Sequence, residues 1–164
     1  MPDMSVSHTA NPPVLNIERT FNAPRDLVFK AWTEPERLKR WFGPKDWTLP
    51  VCEVDLRPGG QWHYCMRGPN GEESWGVATY EEISPPERLI YVDQFTDAER
   101  KVNPEMPSMR VTVDFLEENG ATRIRSRTEF ASREGLDTVL AMGVVEGFGQ
   151  TYDRLDAYLT ESVQ

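Results

Sequence analysis

The spacing of hydrophobic positions divides the chain into three stretches. Val14 to Phe21 (VLNIERTF) is extended in character and predicts a strand. Ala23-Pro24 then opens a helix, because proline fits a first turn where its missing N–H would have had no partner. In the helix predicted over Pro24 to Trp32, Leu27, Val28, Ala31 and Trp32 share one face, while Arg25, Asp26 and Lys30 face water. Thr33-Glu34-Pro35 breaks and restarts it. A second short helix, Pro35 to Trp41, stops at Phe42-Gly43-Pro44.

From Thr48 to Phe130 the period shortens to two and turn signals punctuate it at Pro58-Gly59-Gly60, Pro69-Asn70-Gly71, Pro85-Pro86 and Asn119-Gly120, which predicts an antiparallel meander. Val111, Val113 and Phe115 alternate with Arg110, Thr112 and Asp114, so one face is covered and the other wet. Asp97 to Ser108, polar and carrying two prolines, reads as a flap over one end of the sheet. Ser132 to Leu159 reads as one long helix capped by Ser132, with Leu136, Leu140, Val144, Phe148, Thr151, Leu155 and Tyr158 on its covering face. Gly143, Gly147 and Gly149 weaken such a helix by about 1 kcal/mol each, so they ask for either a close approach to the sheet or a gap left for something else.

Residues 1–13 show no period and are expected to form a flexible leader; residues 14–160 are expected to form a single domain. The 164-residue chain is long enough for one core, supplied by 5 Trp, 5 Tyr and 7 Phe, without help from disulfides or metals. With 27 acidic against 18 basic residues, net −9, it is ill suited to nucleic acid or an anionic membrane surface. No apolar run reaches membrane-spanning length and no signal-like start is present, so a cytoplasmic location is the default expectation.

Cys52 and Cys65 have no metal-ligand spacing, and no cofactor is implied. Around Pro58, a three-residue loop sets Leu56 against Trp62, Val54 against Tyr64 and Cys52 against Met66, apolar against apolar; a two-residue loop would set Cys52 opposite Cys65. The first register is preferred, with free thiols, Cys52 buried and Cys65 on the other face.

Several blocks resemble the SRPBCC (START-like, helix-grip) proteins of the activator of 90-kDa heat-shock protein ATPase homologue type. They are Trp32-Thr33-Glu34-Pro35-Glu36 with Leu38, Trp41-Phe42-Gly43-Pro44 with Trp47, and Asp55-Leu56-Arg57-Pro58-Gly59-Gly60 with Trp62. Downstream come Glu82-Ile83, Pro85-Pro86-Glu87-Arg88-Leu89, Met109 to Val113, Gly143 with Glu146-Gly147-Phe148, and Asp153-Arg154-Leu155. The resemblance implies an α+β helix-grip fold: a strand, two short helices, and a curved antiparallel sheet wrapped around a long C-terminal helix. It also implies an apolar cavity between helix and sheet, and a chaperone partner by family name alone; it carries no shared catalytic motif.

The expected function is therefore the binding of a small apolar or amphipathic molecule by a concave face. That face would collect Trp62, Tyr64, Met66, Trp75 and Val113 from the strands, Phe148 and Tyr152 from the long helix, and Trp32 and Trp41 near the opening. A packed core is the plainer reading of any single ring. Asp93 in RLIYVDQF is the odd acid in an apolar strand; a solvent-facing edge position is the simpler expectation, and an inward one would raise its pKa and let it carry protons. His8 falls in the leader and His63 is expected to point away from the cavity, which leaves a cyclase or dehydratase type of enzyme dependent on Asp93.

Overall fold

The computed structural model describes residues 4–162. Strands β1 (Ser5–Ala10) and β2 (Pro13–Phe21) form a hairpin, followed by helices α1 (Arg25–Thr33) and α2 (Pro35–Trp41). Strands β3 (Thr48–Val54), β4 (Gln61–Arg67), β5 (Glu73–Ser84), β6 (Arg88–Thr96), β7 (Met109–Glu118) and β8 (Ala121–Phe130) come next, then helices α3 (Arg133–Ala141) and α4 (Val144–Ser162). One eight-stranded antiparallel sheet has the order β1-β2-β8-β7-β6-β5-β4-β3. Its concave face carries α4, the helix-grip arrangement of an α+β fold.

A continuous web of rings fills the space between α1, α2, α4 and the sheet. Trp32 packs on Trp41 at 5.3 Å, on Phe115 at 6.1 Å and on Tyr152 at 6.5 Å between centroids. Trp62 packs on Phe42 and on Tyr64, each at 4.9 Å. Each edge-to-face pair adds about 1 kcal/mol beyond the area it buries. Trp41 also donates its indole N–H to the Ala31 carbonyl at 3.0 Å, so α1 and α2 are joined by a hydrogen bond inside the core. Arg19 is buried beneath α4, where its guanidinium donates to Asp153 at 2.8 Å and lies 5.2 Å from the Phe21 ring centroid.

Four local features depart from the sequence reading. Ser5–Ala10, placed in the leader, is paired along its length with β2, from Ser5 opposite Glu18 to Ala10 opposite Pro13. Its mixed polar pattern follows from an edge position with little to bury; residues 1–3 of the expected leader lie outside the described residues. The predicted long helix is two. Ser132 does cap α3, accepting the Gly135 N–H at 3.1 Å, but Gly143 at φ +83° ends that helix and α4 starts at Val144.

The β3–β4 hairpin pairs Val54 with Trp62 and Cys52 with Tyr64, two residues away from the expected pairing. Its connection widens because Gly59 donates to the Tyr80 carbonyl and Tyr80 donates to the Gly60 carbonyl, docking the loop on β5. Parity is preserved, so Cys52 and Cys65 stay on opposite faces, both buried and both free. Finally, the Asp97 to Ser108 connection folds back on itself: Val102 bridges to Thr96, and Arg100 reaches Gln61 at 2.9 Å and Glu53 at 3.1 Å.

Candidate functional site

Between the α3–α4 junction and the concave face lies an open trough of about 310 Å³. Tyr64 and Met66 of β4, Asp93 and Phe95 of β6 and Met109 of β7 form its floor. Val139, Val144, Gly147 and Phe148 form its roof, and the loop carrying Phe42, Gly43, Pro44 and Trp47 forms one wall. Asp93, Met109, Val139, Val144 and Phe148 also line a narrow inner slot of about 50 Å³ that runs on toward Trp32, Val111 and Val113. The two lobes meet at these five residues, of which Asp93 is the one ionisable side chain.

The glycine-bearing helix explains the space. A methyl added at Gly143 would meet nothing within 4 Å, and one added at Gly147 would meet only Pro44 at 3.8 Å. Gly147 faces a gap and not a close approach to the sheet, whereas Gly143 is exposed and its φ of +83° is what calls for glycine. The wall loop is fastened from α4: one Arg154 nitrogen donates to the carbonyls of Gly43, Pro44 and Trp47 at 2.8, 3.1 and 3.1 Å. Burial disfavours the charged form of Arg154 and lowers its pKa.

Asp93 faces into the trough, contrary to the solvent-edge expectation. Its strand is apolar on both faces, so alternation could not choose between them; the pairing of Asp93 with Ala78, and of Ala78 with Trp62, sets the inward face. Tyr64 donates its hydroxyl to Asp93 Oδ1 at 2.9 Å. The reach depends on Gly76, the β5 residue paired with Tyr64, because any side chain there would run into the phenol ring. Burial raises the Asp93 carboxyl to about 7, against the lowering effect of hydrogen bonds from Tyr64 and the Gln94 backbone. Burial beside that carboxyl pushes the Tyr64 phenol well up, so Tyr64 remains a donor.

The residues singled out from sequence distribute over three environments. Tyr64, Met66, Asp93 and Phe148 line the open trough, and Trp32 and Val113 line the inner slot with Asp93 and Phe148. Trp41, Trp62 and Tyr152 are buried in the aromatic core behind them. Trp75 lies on the convex face, its ring 5.4 Å from that of His63, because it pairs with outward-facing Cys65. Phe42, Pro44, Trp47, Phe95 and Met109 are trough residues that the pattern did not single out. The first three sit in a loop, where alternation carries no information.

A larger cleft of about 360 Å³, lined by Arg25, Glu82, Glu87, Arg88 and Asp114, is an open polar groove whose Arg88 and Asp114 are already paired at 2.6 Å. Among the described residues, no His, Cys, Asp and Glu side chains gather as a metal-binding group, and no helix is long and apolar enough to cross a membrane.

A family model described as "Activator of Hsp90 ATPase homolog 1-like protein" matches residues 22–160. A crystal structure of a Mycobacterium smegmatis protein superposes with a TM-score of 0.88 at 32% identity, covering 96% of this chain and 97% of that one. One from Nitrosomonas europaea gives 0.81 at 30% identity, covering 91% and 95%. A Silicibacter pomeroyi protein titled AHSA1 gives 0.72 at 20% identity over 91% and 99%, a likeness of fold alone. No curated protein matches the chain.

Proposed function

We propose that this chain, which belongs to the Activator of Hsp90 ATPase homolog 1-like family, holds a small, mostly apolar molecule in the trough beneath the α3–α4 junction. The observation that carries this reading is open volume in a wall of rings: about 310 Å³ bordered by Phe42, Trp47, Phe95 and Phe148, with a carboxylate and a phenol as its ionisable groups among the described residues. Sites for small molecules combine an apolar lining with a few placed polar groups in this way.

Gly147 offers a test that separates binding from packing. Leucine at this helical position has room to enter the trough and improves helix propensity by about 1 kcal/mol. Gly147→Leu is expected to abolish the binding of 1-octanol, measured by calorimetry, while the melting temperature holds or rises. Unchanged octanol affinity in a stably folded variant would refute the reading.

A second reading is favoured by the inward carboxyl near neutrality: Asp93 as the general acid or base of an enzyme acting on a hydrophobic substrate. Turnover surviving Asp93→Asn would end it. Activation of a heat-shock ATPase rests on the family description alone and carries no residue-level support here.

A further inference from the structure

We propose that the guest is an organic cation, an apolar body bearing a protonated amine whose nitrogen sits against the Asp93 carboxylate. This deepens the trough reading and rests on it. Three observations support it.

First, Asp93 stands where the open trough and the inner slot meet, and its Oδ1 already takes the Tyr64 hydroxyl. That donor and the Gln94 backbone N–H fix the carboxylate, and two hydrogen bonds leave acceptor capacity on its oxygens for a charged N–H, the stronger class of hydrogen bond. Second, the surrounding surface suits a cation. Phe42, Trp47, Phe95 and Phe148 present rings to the space, and ring faces attract ammonium groups. Third, positive side chains are committed elsewhere. Among the described residues no Lys or Arg lines either lobe, and Arg154, at the wall loop, spends a nitrogen on three backbone carbonyls. A carboxylic acid guest would meet a like charge with no counterion, and the net charge of −9 favours approach of cations over anions.

The groups that face Asp93 leave it as the titrating member of the site. Tyr64 comes from β4 and Tyr91 from its own strand, both phenols pushed well up by burial; Ala78 of β5, Met109 of β7, Val139 of α3, and Val144 and Phe148 of α4 bring no charge. An alkylamine is protonated below about pH 10, so its affinity follows the ionisation of Asp93 and grows as pH rises through neutrality.

Calorimetry on the full chain with octylamine, 1-octanol and octanoate, at about pH 8 and about pH 5.5, tests this. At the higher pH octylamine is expected to bind about tenfold or more tighter than octanol, and octanoate weakest; at the lower pH the preference for octylamine shrinks toward unity. Asp93→Asn is expected to bring octylamine down to the affinity of octanol and to remove the pH dependence of octylamine binding. Tyr64→Phe, which keeps the ring, is expected to shift the pH midpoint of octylamine binding upward.

Equal binding of octylamine and octanol at both pH values would overturn the cation assignment and leave the trough reading intact, and so would tightest binding by octanoate. Failure of all three probes would remove the trough reading as well. If Asp93→Asn does not fold, the pH dependence of the native chain decides alone.

Discussion

Asp93 costs the protein stability, which is measurable without any ligand. Its carboxyl rises from 3.8 to about 7 on folding. Between about pH 4 and 7 the folded chain therefore holds a proton that the unfolded chain has released. Stability falls as pH rises through that window and stays at the lower level above it. The penalty is roughly 4 kcal/mol. Asparagine keeps an acceptor for the Tyr64 hydroxyl and removes the charge. Asp93→Asn is expected to melt several degrees above the native chain near pH 8 and at the same temperature near pH 4, read by thermal scans. A variant destabilised equally at both would show that the carboxylate is not held at a cost. The inward orientation itself was beyond periodicity: Leu89, Ile90 and Tyr91 are all buried, so both faces of this strand read alike and only cross-strand register distinguishes them.

Among the elements, those with a one-sided environment were legible and those shaped by distant partners were not. The Pro35–Trp41 helix matches its sequence bounds, since proline starts it and Gly43-Pro44 follows its end. The β3–β4 register needed knowledge of Tyr80, twenty residues beyond the Gly60 carbonyl it holds. The break between α3 and α4 was hidden because Leu136, Leu140 and Val144 continue a helical period straight through Gly143. Glycine at φ +83° was the signal, but a sequence does not display torsions. The β4–β5 pairing makes its own prediction. In Gly76→Ala a methyl displaces the Tyr64 ring, breaks its hydrogen bond to Asp93 and overpacks the floor, with an expected loss of about 1–3 kcal/mol in denaturant unfolding. The double variant with Tyr64→Leu is expected to recover much of it. Additive losses would mean that ring and glycine are independent.

For the whole molecule, the order of elements from β2 to β8, the covered face and the free thiols followed from pattern, because one core organised by one sheet leaves few arrangements for that order; the edge strand β1 and the division of the last helix did not. The trough did not follow in the same way. Tyr64 and Met66 of its floor came from alternating strand positions, yet Asp93, Phe95 and Met109 did not, its wall is a loop pinned by Arg154, and its depth depends on where two helices part. Void is a property of what neighbouring elements fail to fill, and no local pattern encodes it.

The placement of the five indoles gives this architecture a built-in reporter. Trp41 and Trp62 are sealed in the interior, Trp32 is buried but lines the inner slot, Trp75 looks out from the convex side, and Trp47 borders the open trough. An emission change on adding octylamine is therefore expected to weaken in Trp47→Phe and to persist in full in Trp75→Phe. Intrinsic fluorescence thus becomes a positional measurement, telling occupancy of one side of the sheet from adhesion to the other with no label attached.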